Sequence, residues 1–115
     1  MATYDYTFAW CPKLKTIAKV RVDENTKFYT PFGNLRELQH LIVDGVIGQN
    51  NFDVKESTKL SKASIISIIN ALSTTTSGLS VTLSKTAVET AFGSTESEEW
   101  IALINTRSNW TINLV

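Results

Sequence analysis

The sequence predicts an α/β fold, a short solenoid with about five parallel strands on one face and helices or turns on the opposite side. Three observations predict it. An apolar pattern recurs at an offset of 24 residues near the N-terminus. Short segments of strict apolar–polar alternation follow it, and between them lie apolar stripes at helical spacing, each preceded by a capping residue.

The repeat comes first. Phe8, Cys11, Leu14 and Ile17 align with Phe32, Leu35, Leu38 and Leu41, so every third residue is apolar in both copies. A period of 20 to 29 with this spacing is the signature of a leucine-rich repeat. Each unit is too small to close its own core and must stack on a neighbour. The eight apolar positions are therefore expected to form ladders inside the solenoid. At 115 residues the chain is expected to be one leucine-rich-repeat domain, with repeat units over 1–60 and a helix–strand closing segment over 61–115.

Five strands are expected, near residues 17–22, 38–46, 51–54, 79–83 and 110–114. Ser61 is placed to cap a helix whose apolar stripe is Ile65, Ile66, Ile68, Ile69 and Leu72. Ser84 caps a second helix through Val88, Ala91 and Phe92, which Gly93 stops. Thr95 and Glu98 have capping-box spacing ahead of a third helix, which buries Trp100, Ile101, Leu103 and Ile104. Helices between the last three strands imply parallel, right-handed crossovers. The last two strands alternate, which leaves one sheet face open to water.

Composition excludes several functions. Eleven Lys plus Arg balance eleven Asp plus Glu, so the chain is neither a broadly basic nucleic-acid coat nor an acidic mimic. One cysteine, Cys11, excludes an internal disulfide, and one histidine, His40, argues against a structural zinc site. No basic-plus-apolar leader opens the sequence, and no apolar run approaches a membrane span. The expected location is the cytoplasm of a bacterial host or a phage virion, with surface exposure only as part of a longer protein. Serine and threonine number 26 and cluster from Ser57 onward.

The stretch Phe8-Ala-Trp-Cys-Pro-Lys-Leu-Lys-Thr-Ile17 resembles the F-x-x-C-x-x-L-x-x-I unit of BspA-like leucine-rich repeats. The run from Leu60 to Leu72 and the ending from Glu99 to Val115 are similar to the closing helices and strand of such arrays. The resemblance implies a solenoid that binds other molecules without catalysis, as in phage structural or bacterial surface adhesion proteins. The chain departs from the pattern in length, with barely two units ahead of the closing segment.

No catalytic constellation is expected. Cys11 is matched by Leu35 in the repeat and reads as core. Glu96, Glu98 and Glu99 fit the first turn of a helix. The glycines do not have phosphate-loop spacing, and no cofactor is expected. Asn109-Trp-Thr111 is a sequon that means little without a secretory signal. Lys13, Lys15, Lys19, Arg21 and Lys27 cluster near Tyr4, Tyr6, Phe8 and Trp10, a pattern that single-stranded nucleic acid can use. An anionic protein fits the same patch and is preferred to nucleic acid.

The expected function is therefore a non-enzymatic protein–protein interaction module of a phage structural or bacterial surface protein. The alternative is a small stand-alone phage-encoded inhibitor that blocks an intracellular bacterial defence or host enzyme. Outward positions on the alternating strands name the expected contact residues: Lys19, Arg21, His40, Ile42, Asp44, Asp53, Lys55, Thr82 and Asn113, joined by Lys13 and Lys15 at the N-terminal edge. The expected partner is a protein with an acidic surface. A homodimer through the uncapped N-terminal edge is a second expected mode of assembly.

Overall fold

The computed structural model describes residues 3–5, 13–22, 27–29, 35–48 and 51–115; for 3–5, 18 and 27–29 it describes the backbone alone. In chain order the elements are β1 (Thr3–Asp5), β2 (Thr16–Val22), β3 (Lys27–Tyr29), β4 (His40–Gly45) and β5 (Phe52–Val54). They continue with α1 (Lys62–Ala71), β6 (Leu79–Leu83), α2 (Lys85–Phe92), α3 (Glu98–Asn105) and β7 (Trp110–Leu114).

Every strand pairing is parallel. Thr16 of β2 pairs with His40 of β4, and Thr3 of β1 with Lys27 of β3, so the sequence offset of 24 is the pairing register of β1–β3 and of the start of β2–β4; from Val20, which pairs with Val43, the offset is 23. A bulge lies between Ile17 and Val20 of β2. The extra residue lets Ile17, Val20 and Val22 all turn into the core, while Lys19 and Arg21 stay exposed. At the end of β4, Gly45 has φ +122°, and a Cβ there would lie 1.6 Å from the Val22 carbonyl oxygen. Only glycine permits that approach.

The expected five-stranded solenoid does not form. The strands divide among three sheets: β1–β3, β2–β4 and β5–β6–β7. Of the five strands read from the sequence, the first two therefore share one sheet and the last three another. The physical cause lies at the free edge of β4. Helix α1 runs along that edge, where a further strand would have to pair. Leu41 N–H donates to Ser64 Oγ at 2.9 Å, and Val43 N–H donates to Ser67 Oγ at 2.9 Å. Backbone bonds fix the two ends of this seam: Ser61 N–H to the Gln39 carbonyl (2.7 Å) and Ile47 N–H to the Ala71 carbonyl (2.7 Å). Two serine hydroxyls thus satisfy edge groups that would otherwise template another strand. The helices are accordingly not ranged behind a common sheet.

The two main sheets turn their inner faces into one core. Ile17, Val20 and Val22 of β2 join Leu41 and Val43 of β4, Phe52 and Val54 of β5, Val81 and Leu83 of β6, and Ile65, Ile68 and Ile69 of α1. Leu35 and Leu38 are fully buried in the turn before β4, and Ser57 Oγ–H donates to the Leu35 carbonyl. Leu14 is half-buried, whereas Phe8, Cys11 and Phe32 lie outside the described residues. Leu72 and Trp100 are buried, and Ile104 is half-buried.

The caps follow the sequence with one correction. Ser61 accepts from Ser64 N–H and Ser84 from Ala87 N–H, and Gly93 closes α2 at φ +88°. Ser97, not Thr95, caps α3, accepting from Trp100 N–H, and leaves Glu98 and Glu99 in the first turn. Four helical side chains also depart from expectation. Ile66, Leu103 and Ile104 are half-buried and Ile101 is 40% exposed, because each helix buries a narrower face than its apolar content implies.

Candidate functional site

Alternation on the strands assigns each outer face. On β2–β4 the outer residues are Lys19 and Arg21, then His40, Ile42 and Asp44; Ile42 is half-buried and the other four are exposed. Arg21 and Asp44 are register partners, and their side chains approach to 3.9 Å across the strands. Both are well exposed, so this pair contributes little to stability. Lys13 and Lys15 are exposed in the turn just before β2. The Lys15 carbonyl accepts from Gln39 N–H at 2.8 Å and His40 N–H at 3.2 Å, which fixes that turn against β4.

A second charged seam continues this face. Lys59 donates to Glu37 at 2.6 Å, and that bond and the lysine's charge hold the Glu37 carboxyl below its ordinary value, with a smaller contribution from Lys15. Arg36 and Glu56 stand 3.9 Å apart beside it. Arg36, Glu56, Lys55 and Thr58 line a shallow cavity of about 330 Å³.

The outer face of β5–β6–β7 is different. Asp53, Thr82 and Asn113 form one register row across the three strands, and Ser80 pairs with Thr111 in the next. Several of these polar groups are occupied by the chain itself. Asp53 Oδ1 accepts from Lys55 N–H at 2.9 Å, and the Lys55 ammonium lies 3.9 Å from the same carboxylate. Asn51 Oδ1 accepts from Ser80 N–H at 2.9 Å.

The contact residues expected from the sequence are all on outer surfaces, but they do not form one surface. Lys13, Lys15, Lys19, Arg21, His40, Ile42 and Asp44 belong to the β2–β4 side. Asp53, Thr82 and Asn113 belong to the other sheet, and Lys55 follows β5 in the turn that lines the cavity with Arg36 and Glu56.

One feature was not anticipated. Helices α1 and α3 run side by side in parallel: Lys62 bonds Glu99 at one end, and the Arg107 guanidinium donates to the Asn70 carbonyl at the other. Between these ties Ile66, Phe92, Ala102 and Leu103 line an apolar groove of about 300 Å³, with Glu99 at its rim. The Lys62 ammonium also lies 5.3 Å from the centre of the Phe92 ring. The i, i+4 pairs Lys62/Ile66 and Glu99/Leu103 are the sequence signal for it, hidden because Ile66 reads as part of the core stripe.

Other candidates have structural roles. The Asn109 amide donates to the carbonyls of Ser73 (2.8 Å) and Thr76 (2.6 Å), so the sequon asparagine is tied to its own chain. His40 is exposed at the start of β4. Among the described residues, no group of three or more His, Cys, Asp or Glu side chains could hold a metal ion, and no helix is long and apolar enough to cross a membrane. No family model, curated protein or solved structure matches the chain.

Proposed function

We propose that this chain is a non-enzymatic protein-binding module that receives an acidic partner on the charged side of β2–β4. The supporting observation is the grouping of Lys13, Lys15 and Lys19, all exposed, beside a sheet face with Ile42 half-buried at its centre. An apolar position ringed by exposed charges has the composition of a small interface, with cations to steer the partner and an aliphatic contact to exclude water. The hydroxyl face of β5–β6–β7 is the weaker candidate, since Asp53 and Asn51 already bond within their own chain.

A capture experiment from bacterial lysate tests this with three baits: the wild-type chain, Lys13→Glu/Lys15→Glu/Lys19→Glu, and Thr82→Arg/Asn113→Arg. The partner is expected on the wild type and the arginine variant and is lost from the glutamate variant. Retention on the glutamate variant with loss from the arginine variant would move the site to the hydroxyl face.

A further inference from the structure

The chain is electrically divided. Residues 13–22 hold four cations and no carboxylate, whereas residues 86–106 hold four carboxylates and no cation. The fold carries these segments to opposite ends of one row of elements. Strand β2 pairs with β4, β4 lies against α1, and α1 lies against α3. Lys13, Lys15 and Lys19 stand exposed at the β2 end, and none forms an ion pair among the described residues. At the other end Glu98 and Ile101 share the outer side of α3, three residues apart, with Glu96 in the turn before it and Glu89 one turn ahead of Phe92 on α2. All three of these carboxylates are exposed and likewise take part in no ion pair among the described residues.

We infer that the acidic surface fitting the β2 end is the α2–α3 end of a second copy of this chain, so that the protein associates head to tail. This rests on the proposed role of the basic end and names its partner. The alternative homodimer, β2 edge to β2 edge, would bring two sets of lysines together and is opposed by their repulsion. The head-to-tail contact pairs opposite charges instead and offers Ile101, one of the few large apolar side chains left exposed among the described residues, as its aliphatic contact. A heterologous contact of this kind leaves one free end of each type, so association proceeds to a ring or a filament.

Sedimentation of the full chain tests this. At about 10 mM salt, where charges act over about 30 Å, the weight-average mass is expected to be at least twice the 12.8 kDa of the monomer. At about 1 M salt, where the range is about 3 Å, it returns to the monomer. Two variants, Lys13→Glu/Lys15→Glu/Lys19→Glu and Glu89→Lys/Glu96→Lys/Glu98→Lys, are each expected to be monomeric alone and to form a complex when mixed. Both variants are expected to keep the wild-type far-UV circular dichroism, which separates loss of the contact from misfolding. A wild-type monomer at low salt, or association undiminished in both variants, overturns the inference. Binding to poly-L-glutamate separates this failure from failure of the basic site. A Glu89→Gln/Glu96→Gln/Glu98→Gln variant keeps that site without adding lysines and is expected to bind the polymer whether or not the chain self-associates, whereas Lys13→Glu/Lys15→Glu/Lys19→Glu is expected not to bind it; loss of polymer binding by the wild type would count against the site itself.

Discussion

The two main sheets solve the same problem in different ways. Between β2 and β4 no helix lies among the described residues, and the register is 24 residues at the start of β2 and 23 beyond its bulge. Between β5, β6 and β7 it inserts helices, and the registers lengthen to 29 and 31 residues, as in Phe52 with Val81 and Leu79 with Trp110. Their outer faces differ in kind as well. The first carries exposed charges and one exposed cross-strand ion pair; the second carries short polar side chains, some already bonded to neighbouring backbone. The contrast shows that parallel pairing alone does not make one continuous sheet. The edge must also stay open, and in this chain helix α1 closes it.

The β2–β4 sheet is the easier to break. Gly45→Ala places a methyl group against the Val22 carbonyl at a φ that side chains rarely adopt. A loss on the order of 4 kcal/mol is expected, measured by urea denaturation, because neither strand backbone can retreat without losing its pairing. An unchanged midpoint would show that the end of β4 is free to move.

The seam between the sheets is next. Ser64→Ala leaves the buried Leu41 N–H without its partner, at an expected cost of about 1–3 kcal/mol. Hydrogen exchange at Leu41 should accelerate more than at Val81, which lies in the other sheet. Equal acceleration at both would mean that the sheets open as one unit.

The β5–β6–β7 sheet has its own tie. Asn109→Ala removes two bonds that hold the 73–76 turn to the start of β7, and about 1–2 kcal/mol is expected to be lost. The Trp110 indole still donates to the Ser73 carbonyl, so the strand should remain paired, visible as unchanged protection of β7 amides.

The smallest effect concerns acid. The Glu37 carboxyl titrates below its ordinary value, so its contribution to stability is present above that value and fades as pH falls through the lowered one. Glu37→Gln should flatten this part of the acid limb, with a small loss of stability near neutral pH that disappears in acid. Acid curves that superimpose would remove the Glu37–Lys59 bond from the account.

Much of the local structure was legible because it depends on local chemistry. Alternation placed Val81 and Leu83 inside and Thr82 outside. Ser61 and Ser84 announced two helix starts, and Gly93 one stop. The 24-residue offset announced the register at the start of β2 with β4, though not the bulge that shortens it to 23. The division into separate sheets was not legible, since it depends on Ser64 and Ser67 using their hydroxyls on a strand edge rather than on their own helix. A serine inside an apolar helical stripe looks the same in sequence whether it faces water or a strand. The site suffered from the same gap: each outward residue was identifiable from its own strand, but which of them share a face depends on which strands share a sheet.

The most direct measurement follows backbone amide shifts of the isotopically labelled chain as poly-L-glutamate is added at low salt. Shifts concentrated at Lys13, Lys15, Lys19 and Arg21, with Ser80, Thr82, Thr111 and Asn113 unmoved, are the predicted result. Shifts confined to the β5–β6–β7 face, or none on either face, would contradict the assignment of binding to the charged side of β2–β4.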